Sequence, residues 1–146
     1  MFFIPPSRPG WLLGYGGLTP FMGLAAASWF LPAPHQAQAL FAVLAYGATI
    51  LSFLGAIHWG LTLRDPVTPS AGLLVWGVVP SLLAWVALLL DTRLGLLLLA
   101  AALWICLAVD WRVYPRMGLR GWLGFRLALT TLASLSCLFA AFAVAH

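Results

Sequence analysis

From Gly10 to Ala145 the chain is a series of long apolar blocks, separated by short clusters of proline, charge and small polar residues. The blocks fall at 10–31, 37–63, 70–90, 93–113 and 121–145, each about 18–27 residues long. A helix rises ~1.5 Å per residue, so about 20 residues cross the roughly 30 Å of a bilayer core. Runs such as Leu94–Leu99 show no two-residue alternation, which removes a barrel. A bilayer forces each backbone group to find its partner within the protein, and helices then remain. The pattern predicts an all-α membrane protein, a single transmembrane domain over 1–146 built as a five-helix bundle.

Breakers set the corners. Pro32 and Pro34 end the first hairpin, and Arg64, Asp65, Pro66 and Pro69 make the loop after the second block. Asp91-Thr92-Arg93 is a tight turn in which Asp91 or Thr92 caps the fourth span. Pro115 and Gly118 mark the longest loop. Pro20 is expected to kink the first span, and Pro80 the third. Gly10–Ser28 has the outline of a signal peptide, but Pro20 interrupts its apolar core, so it reads as the first span. The arm before it holds Phe2 and Phe3, placed to rest at headgroup level.

Composition settles the solvent. Charged residues are 7% of the chain, against roughly 25% in soluble domains, and apolar residues are 64%. The net charge of +4 comes from arginine alone, since lysine and glutamate are absent. Arg8, Arg64, Arg112, Arg116 and Arg120 fall at one end of a five-span bundle, with Arg93 at the other. The positive-inside rule then places the N-terminus inside and the C-terminus outside. Because the arginines mark span ends, they do not form a nucleic-acid surface. Most of the 8 tryptophans lie near span ends, where an indole keeps its ring in lipid and its N–H wet. Trp85 and Trp104 fall deeper and are expected to pack inside.

Ionisable groups inside hydrocarbon are the best functional pointers in such a chain. His58 and Arg126 each lie about six residues from the arginine-rich end of their spans, so ~9 Å deep. Asp110 lies less than a turn inside the fourth span. Gly47, Leu51, Gly55, His58 and Thr62 share one helical face, as do Arg126, Thr130, Ala133, Cys137 and Ala141. These stripes of small and polar residues read as bundle interior. His58, Asp110 and Arg126 are therefore expected within one water-bridged contact of each other, as a hydrogen-bonded clasp or as a proton-responsive or anion-binding pocket. Gly10, Gly14 and Gly17, with Gly47 and Gly55, are expected helix-packing positions.

Other chemistries lack their residues. His35 and His146 lie at the end opposite His58, so no histidine pair for haem forms within the chain, and no metal site or cofactor is expected. Cys106 and Cys137 sit at different depths and are not expected to pair. The serines Ser52, Ser81, Ser134 and Ser136 are expected to bond their own helices. There is no nucleophile beside a base, no phosphate loop and no metalloprotease motif.

The segment Tyr46-Gly47-Ala48-Thr49-Ile50-Leu51-Ser52-Phe53-Leu54-Gly55-Ala56-Ile57-His58-Trp59-Gly60 is distinctive. With Leu13-Gly14-Tyr15-Gly16-Gly17-Leu18-Thr19-Pro20-Phe21 and Pro80-Ser81-Leu82-Leu83-Ala84-Trp85, it resembles an uncharacterised family of small five-span proteins. That family, domain of unknown function 3429, is found in bacteria and mitochondria and includes animal transmembrane protein 69. The resemblance implies an inner-membrane setting and carries no catalytic role.

Small size, minimal loops, glycine-lined helices and the lack of a complete site favour a non-enzymatic accessory or assembly subunit. It would sit in the lipid bilayer of a bacterial inner membrane, against other subunits of a bioenergetic complex. The alternative is a small oligomeric transporter or channel using His58, Asp110 and Arg126; an enzyme acting on a lipid or quinone ranks third.

Overall fold

The computed structural model describes residues 5–64 and 71–144, and their regular structure is entirely helical. The helices are α1 (Arg8–Gly16), α2 (Leu18–Phe30), α3 (Ala33–Arg64), α4 (Ala71–Leu89), α5 (Thr92–Val113) and α6 (Leu123–Ala143). A 3-10 turn, Arg120–Trp122, leads into α6. Phe2 and Phe3, the loop residues Asp65, Pro66 and Pro69, and His146 lie outside the described residues.

Among the described residues four helical stretches are long and apolar enough to cross a membrane: α3, α4, α5 and Arg120–Ala143. The first of the five expected blocks forms two short helices, neither long enough to cross alone, so it is not among these four. The break falls at Gly17 rather than at Pro20 itself. A proline ring clashes with the carbonyl four residues earlier, and that residue is Gly16, the last of α1. Pro20 then sits in the first turn of α2, where a missing N–H costs nothing. At the break the Tyr46 hydroxyl donates to the Gly17 carbonyl, 2.8 Å away. The second corner also shifts: α3 starts at Ala33, with Pro34 tolerated in its first turn.

The long α3 lies against α2, α4, α5 and α6, and α6 packs on both α5 and α2. At 32 residues α3 runs well beyond a single crossing. Its tightest approach is to α4, where a Cβ on Gly55 would meet the Gly77 carbonyl and the Pro80 ring. Trp59 covers Gly77, and its indole N–H donates to the Leu74 carbonyl at 2.8 Å. Asp91 caps α5 through its carboxylate and the Leu94 N–H, 3.1 Å apart.

The two ends of the bundle are pinned differently. At the α2–α3 corner the Gln36 amide donates to the carbonyls of Ser28 and Ala143, at 3.0 and 3.4 Å. At the other end Trp11 and Tyr15 of α1 pack against Phe125 of α6, tilted and edge-on, with ring centroids 4.7 and 5.6 Å away. Trp85 and Trp104, expected inside, are 59% and 44% exposed. Both belong to helices apolar on all sides, which leave a large ring free to face lipid. The Trp104 indole N–H is nonetheless satisfied by the Ser134 hydroxyl at 3.0 Å, so Ser134, expected to bond its own helix, serves a neighbouring one.

Candidate functional site: a buried His–Asp–Arg clasp

His58 on α3, Asp110 on α5 and Arg126 on α6 meet inside the bundle, at 1%, 3% and 7% exposure. Each stands one or two turns from the same end of its helix: α3 ends at Arg64, α5 ends at Val113 and α6 begins at Leu123. Equal depth on three adjacent helices brings them together. The faces predicted from helical spacing are the buried ones, including Gly47, Leu51, Gly55 and Thr62 on α3. On α6 they include Thr130, Ala133, Cys137 and Ala141.

Asp110 is the centre. Arg126 Nε donates to its Oδ2 at 2.8 Å, and Nη2 lies at the same distance from that oxygen but off the hydrogen-bonding line. The fork thus closes on one oxygen and leaves an N–H of Arg126 unspent. Oδ1 faces His58 Nε2 at 3.3 Å, also without hydrogen-bond alignment. On the ring's other side, Nδ1 lies 3.3 Å from the Leu54 carbonyl. Both ring nitrogens therefore face acceptors, and a neutral imidazole with one N–H can serve only one of them. Trp76 stands edge-on to His58 at 6.5 Å, and Tyr114 lies tilted at 6.4 Å. The Trp76 indole N–H has no acceptor among the described residues.

A second layer seals the clasp toward the nearer end. One turn beyond His58, Asp110 and Arg126 stand Leu61, Tyr114 and Leu123, which form their own buried cluster. The chain turns back over them through Gly118, whose φ of 75° is the left-handed conformation that favours glycine. Sequence reasoning did not single out this lid, although its signal was available: an apolar residue three or four positions beyond each polar one.

Of the glycines expected to pack, Gly14 meets the Phe125 ring and Gly47 would put a Cβ 2.8 Å from Leu99. Gly55 meets Gly77 as described, while Gly10 and Gly17 have ordinary or slightly tight surroundings. Gly77 and Gly95 make equally close approaches and were not singled out. Cys106 and Cys137 are buried free thiols. His35 contacts Gln38 at the exposed end of α3. Among the described residues no three His, Cys, Asp or Glu side chains gather in a way that could hold a metal.

Set against known proteins, the family model described as a protein of unknown function (DUF3429) matches residues 6–142. The chain belongs to the DUF3429 family. This DUF3429 protein is 36% identical over 112 residues to transmembrane protein 69 of Xenopus tropicalis, covering 74% of the chain and 44% of the relative. It is 29% identical over 100 residues to transmembrane protein 69 of Mus musculus, covering 64% of the chain and 39% of that relative. The chain thus spans less than half the length of these curated relatives. No solved structure matches.

Proposed function

We propose that this DUF3429 protein is a non-enzymatic accessory subunit of a bacterial inner membrane, docked through its first helical pair onto a larger membrane assembly. The observation that carries this reading is an outward stripe of small residues. Gly16, Thr19, Gly23 and Ala26 are all exposed and follow one another at three- and four-residue steps. A Cβ on Gly16 or Gly23 would meet nothing within 4 Å. Lipid has no need of a bare backbone, whereas helix association in membranes uses small residues for close approach. The pair α1–α2 crosses the bilayer as one broken span in this reading, with the arginine-bearing end inside.

A transporter fits less well. Beyond the clasp the interior is filled by Leu44, Leu51, Leu96, Leu99 and Leu103, each at most 2% exposed. Such a plug leaves no water path.

Two measurements test the proposal. Reporter fusions within the 114–119 loop and at the C-terminus should report opposite sides of the membrane. Gentle detergent extraction followed by quantitative mass spectrometry should recover a stoichiometric membrane partner that is lost in Gly16→Leu/Gly23→Leu. A monodisperse homo-oligomer, insensitive to that double variant and conducting solute in liposomes, overturns it.

A further inference from the structure

A cavity of about 330 Å³ lies between the first helical pair, α3 and α6. That is near the lower end of ordinary small-ligand pockets, roughly 300–1,000 Å³. Its walls are almost wholly apolar, with Phe21, Ile50, Leu54 and Leu129 among them. Leu13 and Phe53 also line it and are 77% and 61% exposed, so it opens toward lipid beside α3. Arg126 and Thr130 stand at its inner wall, one helical turn apart on α6, and Tyr114 brings its hydroxyl beside Arg126.

Thr130 is the unusual one. Hydroxyls inside a membrane helix ordinarily donate to a carbonyl of their own helix. Ser28, Thr62, Thr131 and Ser136 do so, at 2.7 to 2.9 Å. The Thr130 hydroxyl is 2% exposed as a residue and has no partner among the described residues. Beside it, Arg126 holds an N–H that is not aligned on Asp110. The Thr130 hydroxyl and Nη2 of Arg126 thus face one largely apolar chamber without an aligned acceptor among the described residues, although the Tyr114 hydroxyl also lines it beside Arg126.

We propose that this cavity binds a neutral, carbonyl-bearing membrane amphiphile, whose oxygen accepts from the Thr130 hydroxyl and from the unspent N–H of Arg126. Charge decides for a neutral acceptor. Asp110 already balances Arg126 at 2.8 Å, so a carboxylate or phosphate would bring an unpaired negative charge into a desolvated site. A quinone ring and the ester of an acylglycerol both present the required carbonyl, and the lipid-facing opening admits the tail of either. This inference does not depend on the docking role proposed above.

The full-length protein in detergent, delipidated and then offered decylubiquinone, dioleoylglycerol, oleate or hexadecane, supplies the test by native mass spectrometry. Saturable binding of decylubiquinone or dioleoylglycerol over hexadecane is the expected result, and whichever binds more tightly identifies the source of the carbonyl. Thr130→Val keeps the side-chain shape and should weaken that binding about tenfold, the effect of one lost buried hydrogen bond. Without ligand the same variant should be at least as thermally stable as the parent, because the hydroxyl removed has no partner. Preference for oleate, equal binding of all four probes, unchanged binding by Thr130→Val or a less stable unliganded variant each overturns the proposal.

Discussion

The two ends of this bundle hold themselves together by opposite means. Toward the α4–α5 turn, the buried side chains between α3, α4 and α5 are apolar, and these helices approach until backbone meets backbone. A Cβ on Gly95 would strike the Ala87 carbonyl and Leu44. Toward the 114–122 loop, α3, α5 and α6 are joined by three ionisable groups sealed under Leu61, Tyr114 and Leu123. In lipid the first end gains little from hydrophobicity, because bilayer tails are as apolar as leucine, and shape complementarity must serve instead. The second end is specified by charge, which tolerates no mismatch once buried. One end fixes distance between helices, and the other fixes which faces meet.

The largest expected effect is therefore at Asp110. Asp110→Ala leaves Arg126 buried without its counter-charge and should destabilise by about 3–5 kcal/mol in reversible unfolding from detergent or bicelles. Removing both charges together, as in Asp110→Leu/Arg126→Leu, should recover most of that loss, since a matched apolar replacement of a buried pair is often neutral. Leu99→Ala at the opposite end should cost less than the ~2–5 kcal/mol of a water-soluble core, because only the cavity term applies. If Leu99→Ala proves the costlier change, the contrast between the two ends is wrong.

Close approach comes next. At Gly55 a methyl group meets the Gly77 carbonyl and Pro80, neither of which is a movable side-chain tip. Gly55→Ala should therefore destabilise by about 1–3 kcal/mol, the range for overpacking. Gly60, on the same helix with nothing within 4 Å, is the control. There Gly60→Ala should be neutral or stabilising by up to about 1 kcal/mol, as in any exposed helix interior. Equal responses at Gly55 and Gly60 would mean that the α3–α4 crossing is looser than the structure has it.

How much of this was legible in the sequence follows from the same contrast. The clasp was, because His58, Asp110 and Arg126 are rare polar marks on apolar helices, and each gives both a depth and a face. The stripes on α3 and α6 were readable for the same reason: small and polar residues set the helical phase. On α4 and on the middle of α5, hydrophobicity is nearly uniform around the helix, so no direction is encoded. Trp85 and Trp104 were accordingly expected inside and lie outside. Glycines show the same limit, since Gly95 in a tight crossing and Gly23 in the open look alike along the chain. The first block was readable as apolar, but its division at Gly17 depends on where the Pro20 ring meets the preceding turn.

The smallest effect is expected at His58, and it bears on what the clasp is for. Asp110 has its aligned partner in Arg126, whereas His58 Nε2 stands 3.3 Å from Oδ1 without alignment. A glutamine there keeps both a donor for Asp110 and a polar oxygen, and it fits beneath the same Leu61 and Tyr114 lid. Interhelical hydrogen bonds in membranes average about 0.6 kcal/mol, so His58→Gln should shift unfolding by no more than roughly that amount. The difference between parent and variant should also stay constant from neutral to mildly acidic pH, if the ring acts as a spacer and weak donor. A ring that gains a proton against Asp110 would instead make the parent progressively more stable than His58→Gln as pH falls. Unfolding curves of the two proteins across that range separate the cases: parallel curves keep the clasp a structural device, and diverging ones make His58 a proton sensor.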